Sequence, residues 1–445
     1  MENFLTYSQF ISLAIVAVVY YYLISEKIHK VVVVLVAGAF LIMAQVFAGG
    51  HFISGTSQEH AFHFIGNNLD VLGFIIGMMI LVGIVRKSGF FEAIALWLVK
   101  VIKGNPYLLL VTIGYLALFM TAFLSNIPTV LILVPIILVL VKQLRLPYLP
   151  FIFIIVTMAN LGGAMTPLSD PTTYYQAKTV GLTFVEVLSN SGLIVLVLSV
   201  VATLYTLLIF RKELRETKVS AEDVSLFRPL SALKDKKILK IGVPILFIAI
   251  SLLVLKEFIA KTFNIYLDNA SVIFFFSFLS VFLFSIEVKD VFKKIIDWEI
   301  VFFFIGLFVV IGSLEYTGII EIISQALITV TNGNMAALTF LMTMGSGLLS
   351  VFIDNVPYNI AMVGAVQSMQ ASGVNVYPLW WALNLGTSLG GAGSMIGAAC
   401  NVVSFGQAEQ DGFHTNFVGY LVRAVPLVII NAFITFLIIW LKFLR

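Results

Sequence analysis

The 445-residue sequence predicts an all-α polytopic membrane protein: two inverted repeats of about five spans each, plus re-entrant hairpins and discontinuous helices. Three observations lead there. Hydrophobic residues make up 60% of the chain and charged ones 11%, against roughly 25% charged in soluble domains. Apolar runs at 10–24, 31–47, 193–210 and 428–441 approach the roughly 20 residues that cross a bilayer. The chain also matches itself at a fixed offset. A shift of 229 residues lays Asp70 on Glu299, Gly77 on Gly306, Gly83 on Gly312, Gly89 on Gly318, Glu92 on Glu321, Asn126 on Asn355 and Pro128 on Pro357. A shift of 228 lays Gly162-Gly163-Ala164 on Gly390-Gly391-Ala392, and Thr166 on Ser394.

The composition excludes several classes. Net charge is only +3, and the single cysteine, Cys400, rules out a disulfide framework and a cysteine-ligated zinc. The free thiol is expected to be a packing residue rather than a metalloid ligand. The five histidines, His29, His51, His60, His63 and His414, are expected in or beside loops. His60 and His63 lack the further ligands that a metal site needs. Glu2 precedes the first apolar run and no small-residue cleavage site follows it, so no cleavable signal is expected. Nothing points to a nucleic-acid partner; the expected surroundings are the lipid bilayer of the inner (plasma) membrane.

Lysine and arginine set the orientation, since they concentrate in cytoplasmic loops. Lys27 and Lys30 follow the first span, which places the N-terminus outside. Residues 50–69 have no Lys or Arg and are expected outside; Arg86, Lys87, Lys100 and Lys103 return the chain inside. The first repeat is assigned to 1–210 and the second to 241–445. Between them, 211–240 holds nine basic and five acidic residues and is expected to be a cytoplasmic linker. The second repeat then starts inside, crosses at 245–255 and returns at 274–286 to Lys289, Lys293 and Lys294. The amphipathic stretches 91–103 and 319–331 are expected near opposite membrane surfaces.

Residues 105–142 have basic residues at both ends, and 334–371 have none at either. Each stretch is expected to be a hairpin that dips in and returns, although two full spans satisfy the same charges. The tips are Ser125-Asn126-Ile127-Pro128-Thr129 and Asp354-Asn355-Val356-Pro357-Tyr358. Polar residues and a proline mid-run fit backbone that lines a cavity. Broken helices follow at 148–178 and 378–408. The first is interrupted from Asn160 through Gly163, Thr166 and Asp170 to Thr172 and Thr173; the second runs from Asn384 through Ser394 to Asn401. Such breaks can offer carbonyls to Na+ and helix N-termini to an anion; the alternative is glycine used for tight packing.

Asp170 and Asp354 are the sharpest residues, because an intramembrane carboxylate is a functional hypothesis by default. No Lys or Arg lies between Lys294 and Arg423, nor from 146 to 177, so both carboxylates are expected without a basic partner. That favours uptake of H+ or Na+; the alternative is a cap on a half-helix.

Three patterns together resemble the ion-transporter superfamily: Asp354-Asn355-Val356-Pro357, Asp297-Trp298-Glu299 ahead of 302–306, and Gly162-Gly163-x-x-Thr166-x-x-x-Asp170-Pro171. The branch is the arsenite-permease, NhaD-type sodium–proton antiporter and P-protein group, with a citrate-transporter-like domain. The likeness covers about residues 30–440. It implies a homodimer of protomers with a scaffold domain and an elevator-type transport domain. It also implies one half-site at Ser125, Asn126, Thr129 and Gly163, and another at Asp354, Asn355, Ser394 and Asn401. Na+ would sit at Ser125, Asn126 and Gly163, and at Asp354, Asn355 and Ser394. The family's first break usually reads Gly-Asp-Pro-Pro-Asn, whereas here Ser169-Asp170-Pro171-Thr172-Thr173 stands. Its second commonly reads Gly-Gly-Asn-x-Thr, and here Ala392 and Ser394 replace the asparagine and threonine.

The expected function is secondary transport of a small inorganic solute coupled to H+ or Na+, with arsenite-type efflux first and no cofactor besides the coupling ion. A Na+/H+ antiporter is the alternative, and Na+-coupled di- or tricarboxylate transport the third reading. A channel is disfavoured by the repeat with broken helices. An enzyme is disfavoured because no nucleophile–base pair or metal cluster is expected in the spans.

Overall fold

The computed structural model describes residues 6–25, 27–48, 57–102, 105–215 and 228–445. His51, expected in or beside a loop, and Lys103 and linker residues 216–227, used above to orient the chain, lie outside them. Within the described residues the regular structure is helical, with no strand. The first half contains α1 (Tyr7–Ser25), α2 (Lys30–Met43), α3 (Ser57–Gly66), α4 (Leu69–Arg86), α5 (Phe90–Val101), α6 (Pro106–Leu124), α7 (Asn126–Leu144), α8 (Tyr148–Gly163), α9 (Pro171–Val180) and α10 (Phe184–Ile209). The second half contains α11 (Ile238–Phe263), α12 (Asn269–Leu283), α13 (Trp298–Tyr316), α14 (Ile319–Val330), α15 (Met335–Leu349), α16 (Asn355–Ala371), α17 (Tyr377–Gly391), α18 (Ala399–Gln410) and α19 (Phe417–Leu444). Among the described residues, 8 helices are long and apolar enough to cross a membrane.

The helices pack in two groups. In one, α4 lies along α12 and α2 along α13, so each half's helices pack on the other's. Glycine permits both approaches: a Cβ on Gly77 would stand 2.7 Å from Ile273, and one on Gly306 would stand 2.8 Å from Val34. In the other group α6 packs on α8, α15 on α17, and α19 on α15 and α17. Pro150 to Gly163 of α8 and Pro378 to Gly391 of α17 are buried without a gap. A helix apolar all round belongs in an interior, and these two form the centre of the second group.

The segment expected as an outer loop at 50–69 contains α3 in its described part. His60 is buried there, its Nδ1 2.9 Å from the Phe47 carbonyl oxygen and its ring against Tyr316. His63, three residues on, faces outward beside Asn67. The two imidazoles therefore sit in a helix rather than a loop, one packed and one exposed. No group of three or more metal-ligating side chains occurs among the described residues.

Candidate functional site

Helix α6 ends and α7 begins at one residue, Ser125, whose backbone is left-handed with φ 75°. Asn105 caps α6 through its side chain, and Thr129 Oγ1 donates to the Ser125 carbonyl at 2.8 Å, closing the turn. In the second half the turn between α15 and α16 ends at Asp354, which caps α16 by accepting from the Val356 amide at 3.1 Å. The breaks follow: α8 stops at Gly163 and α9 restarts at Pro171, while α17 stops at Gly391 and α18 restarts at Ala399. Pro171 suits the first helical position, where no amide is needed. Asp170 caps it, accepting from Thr172 N at 3.0 Å.

The two breaks share one hydrogen-bond pattern. Thr166 Oγ1 donates to the Ala122 carbonyl and Ser394 Oγ to the Val351 carbonyl, each at 2.5 Å. The same oxygens accept from Leu168 N and Ile396 N, each at 3.2 Å. The Thr173 hydroxyl lies 2.7 Å from the Gly163 carbonyl oxygen and 2.8 Å from Asn384 Oδ1. Correspondingly, Asn401 Nδ2 donates to Gly391 O at 2.6 Å, and its Oδ1 accepts from Asn160 Nδ2 at 2.9 Å. The residue closing each break thus holds its own helix end and an asparagine of the other half. A π turn in α10, Leu188–Gly192, brings Ser191 Oγ within 2.7 Å of the Ala164 carbonyl and 3.1 Å of Asn384. Such turns re-aim side chains at functional sites.

The tips and breaks meet at a cavity of about 800 Å³. Ser125, Asn126, Asp170, Asp354 and Asn355 line its inner end, with Asn126, Asp170 and Asn355 buried. Arg86, Lys87, Lys234, Lys293 and Lys294 line its exposed end, together with Asp297 and Glu299. Thr129, Gly163, Thr166, Thr172, Thr173, Ser394 and Asn401 stand behind this lining and hold it. Gly163 sits so close to Asp170 that a Cβ on it would lie 3.1 Å from Oδ2. Cys400 is fully buried, packed with Asn160 and outside the cavity lining.

Both carboxylates cap a half-helix with one oxygen and use the other elsewhere. Oδ2 of Asp170 accepts from Asn126 Nδ2 at 2.8 Å. Oδ2 of Asp354 lies 3.9 Å from Lys30 Nζ. The expectation that Asp354 has no basic partner is therefore corrected: the base comes from the start of α2, far away in sequence. Sequence reading had used Lys30 only to orient the first loop. It also passed over Gln176, whose Nε2 donates to the Trp380 carbonyl and whose Oε1 is reached by Asn359, in a buried polar group behind Asp170.

A second cavity, about 230 Å³, is lined by Asp70, Tyr174, Lys178, Lys256 and Asp268. Leu168 lines both cavities. Beside it Phe74, on the first cavity, stacks on Tyr174, on the second, with ring centroids 3.9 Å apart. Lys178 of α9 closes this side with Asp70 of α4 at 2.9 Å and the Asn67 carbonyl at 2.7 Å.

Comparison with known proteins places the chain. Residues 20–386 match the family described as Citrate transporter. A 46 kDa membrane protein of Mycobacterium leprae is 28% identical, covering 98% of this chain and 99% of its own. An uncharacterised transporter of Synechocystis is 28% identical, with 95% of each chain covered. The human P protein is 24% identical across 95% of this chain and 58% of its own length. These matches span nearly the whole sequence, and they agree with the apolar helices and the polar cavity between broken helices. The chain is a multi-pass membrane transporter that belongs to the Citrate transporter family.

Proposed function

We propose that this protein is a secondary active transporter that moves a small organic anion, a di- or tricarboxylate, together with a coupling H+ or Na+. One observation carries the reading: a single cavity has five bases against two acids, Asp297 and Glu299, at its exposed end, and two carboxylates, Asp170 and Asp354, at its buried end. Bases at the entrance draw an anion in. The carboxylates take the coupling cation, with Ser125, Asn126 and Asn355 beside them. The family's description as citrate transporters agrees with a carboxylate solute. The metalloid solute expected first from the sequence is placed behind it, because the family is described as citrate transporters.

The basic end faces the cytoplasm under the positive-inside tendency, so this conformation is inward-facing. Leu168, the Phe74–Tyr174 stack and the Lys178–Asp70 pair close the outer side. Transport then requires the hairpin tips and broken helices to move against α2, α4, α12 and α13. This is elevator-type alternating access between two inverted repeats. Cation–proton antiport is the second reading, favoured by the two carboxylates lying in one cavity.

Purified protein in proteoliposomes decides among these. Uptake of radiolabelled citrate driven by a Na+ or H+ gradient supports the first reading. Collapse of a pH gradient on adding Na+, with no citrate movement, replaces it with antiport. Proton flux on adding arsenite alone restores the metalloid reading.

A further inference from the structure

We propose that Lys30 is a resident counter-ion of the transport cycle: it occupies Asp354 when the coupling cation is absent and passes to the solute anion when that cation binds. This rests on the reading of the cavity as the solute path. Lys30 is the first residue of α2, where the helix dipole disfavours a positive charge. A lysine near a helix end in a membrane usually extends to the polar interface. Lys30 instead joins the cavity wall, its side chain only 33% exposed, 5.1 Å over the Phe303 ring and 3.9 Å from Asp354. Neither local helix energetics nor solvation accounts for that placement; the carboxylate does.

The geometry favours the exchange. Oδ1 of Asp354 is committed to the Val356 amide, so Oδ2 is the oxygen open to a cation, and Lys30 faces it. A cation arriving there meets a like charge 3.9 Å from that oxygen, and their repulsion drives the ammonium away. Once displaced, Lys30 retains the Phe303 face, and no other carboxylate pairs with it among the described residues. It is then a positive charge on the wall of a cavity that holds an anion, a wall that Asp297 and Glu299 at the start of α13 also line. The pair also links α2, which lies on α13, to α16, which Asp354 heads and which packs on α14, α17 and α9 and also touches α13. Other titratable groups near Asp354 are Asp170, Tyr20 of α1, Tyr358 of α16 and Cys400 of α18, none of them cationic in the neutral range.

The test compares wild type, Lys30→Gln, Lys30→Arg and Asp354→Asn in proteoliposomes, with citrate as the solute and Na+ and H+ varied in separate arms. Lys30→Gln is expected to lower the half-saturating cation concentration roughly tenfold and to raise that of citrate by a similar factor. Lys30→Arg should stay near wild type. A purely structural role would not move the two constants in opposite directions. Cation half-saturation that is unchanged or raised in Lys30→Gln overturns the proposal. Should that variant turn over too slowly, thermal unfolding of the purified protein against cation concentration replaces the rate. A midpoint at lower cation supports the exchange, and an unshifted midpoint overturns it. Wild type that carries no citrate instead sinks the function proposed above, whereas Asp354→Asn with wild-type cation dependence overturns the exchange itself. The unfolding titration still decides on Lys30.

Discussion

Asn126 donates its side-chain amide to Oδ2 of Asp170 at 2.8 Å, tying the tip between α6 and α7 to the break between α8 and α9. The same carboxylate caps α9 through Oδ1. One side chain therefore holds a half-helix and faces the cavity at once.

Asp170→Asn separates those two duties. Asparagine is as good an N-cap as aspartate, so α9 keeps its cap and the protein should fold, with its stability lowered by about 1–3 kcal/mol through loss of the Asn126 bond. Without a charge to hold the coupling cation, cation-driven uptake in proteoliposomes should fall at least about tenfold. An uptake rate near wild type would remove Asp170 from the coupling step.

Thr173→Val tests the support behind the lining. The substitution keeps the shape and deletes the hydroxyl shared between Gly163 O and Asn384 Oδ1. A buried group left without its partner costs about 1–3 kcal/mol, which should appear as a lower unfolding temperature in detergent. The half-saturating cation concentration should stay the same, because Thr173 does not line the cavity. A large change in that constant with stability intact would place Thr173 among the ligands.

Accessibility tests the inward-facing reading. The native protein has one thiol, fully buried, so a membrane-impermeant maleimide should leave folded wild type unlabelled. Ser125→Cys should react from the cytoplasmic side only. Lys178→Met removes the Asp70 pair that closes the opposite side. An exposed or half-exposed pair is worth about 1 kcal/mol at most, so cytoplasmic labelling should drop by up to about fivefold. Labelling of Ser125→Cys from the outer side in the otherwise native chain would contradict the assigned conformation.

The proposed inversion of the halves makes a topological prediction. Asn332, in the exposed turn after α14, and Lys234, on the basic cavity rim, should label as cysteines from opposite faces of the membrane. Labelling of both from one face would refute the inverted arrangement.

Much of this molecule is legible from local chemistry. Unbroken apolar runs have no stable alternative to helices in a bilayer, since every backbone group must be satisfied within the segment. The helices stop where Gly163 and Gly391 permit it, and one restarts where Asp170-Pro171 supplies a cap and a first residue that needs no amide donor. These are short-range effects, so Asp170, Asp354, Asn126 and Asn355 stand out before any fold is known. The span-like apolar content likewise leads to a multi-pass membrane protein.

Which of those polar residues face the cavity depends on how half-helices from distant segments lie against one another. Thr129, Thr173, Ser394 and Asn401 are as polar as Ser125 and Asn126, yet they turn inward to hold carbonyls and asparagines. The Asn160–Asn401 bond spans 241 residues, and no local periodicity encodes it. Lys30 is the clearest case. Its sequence neighbourhood marks only a loop charge, and its pairing with Asp354 arises because α2 packs on α13 beside the tip of α16. Spans and breaks follow from short-range propensity and hydrophobicity, whereas ion pairing follows from distances that exist once the chain has packed.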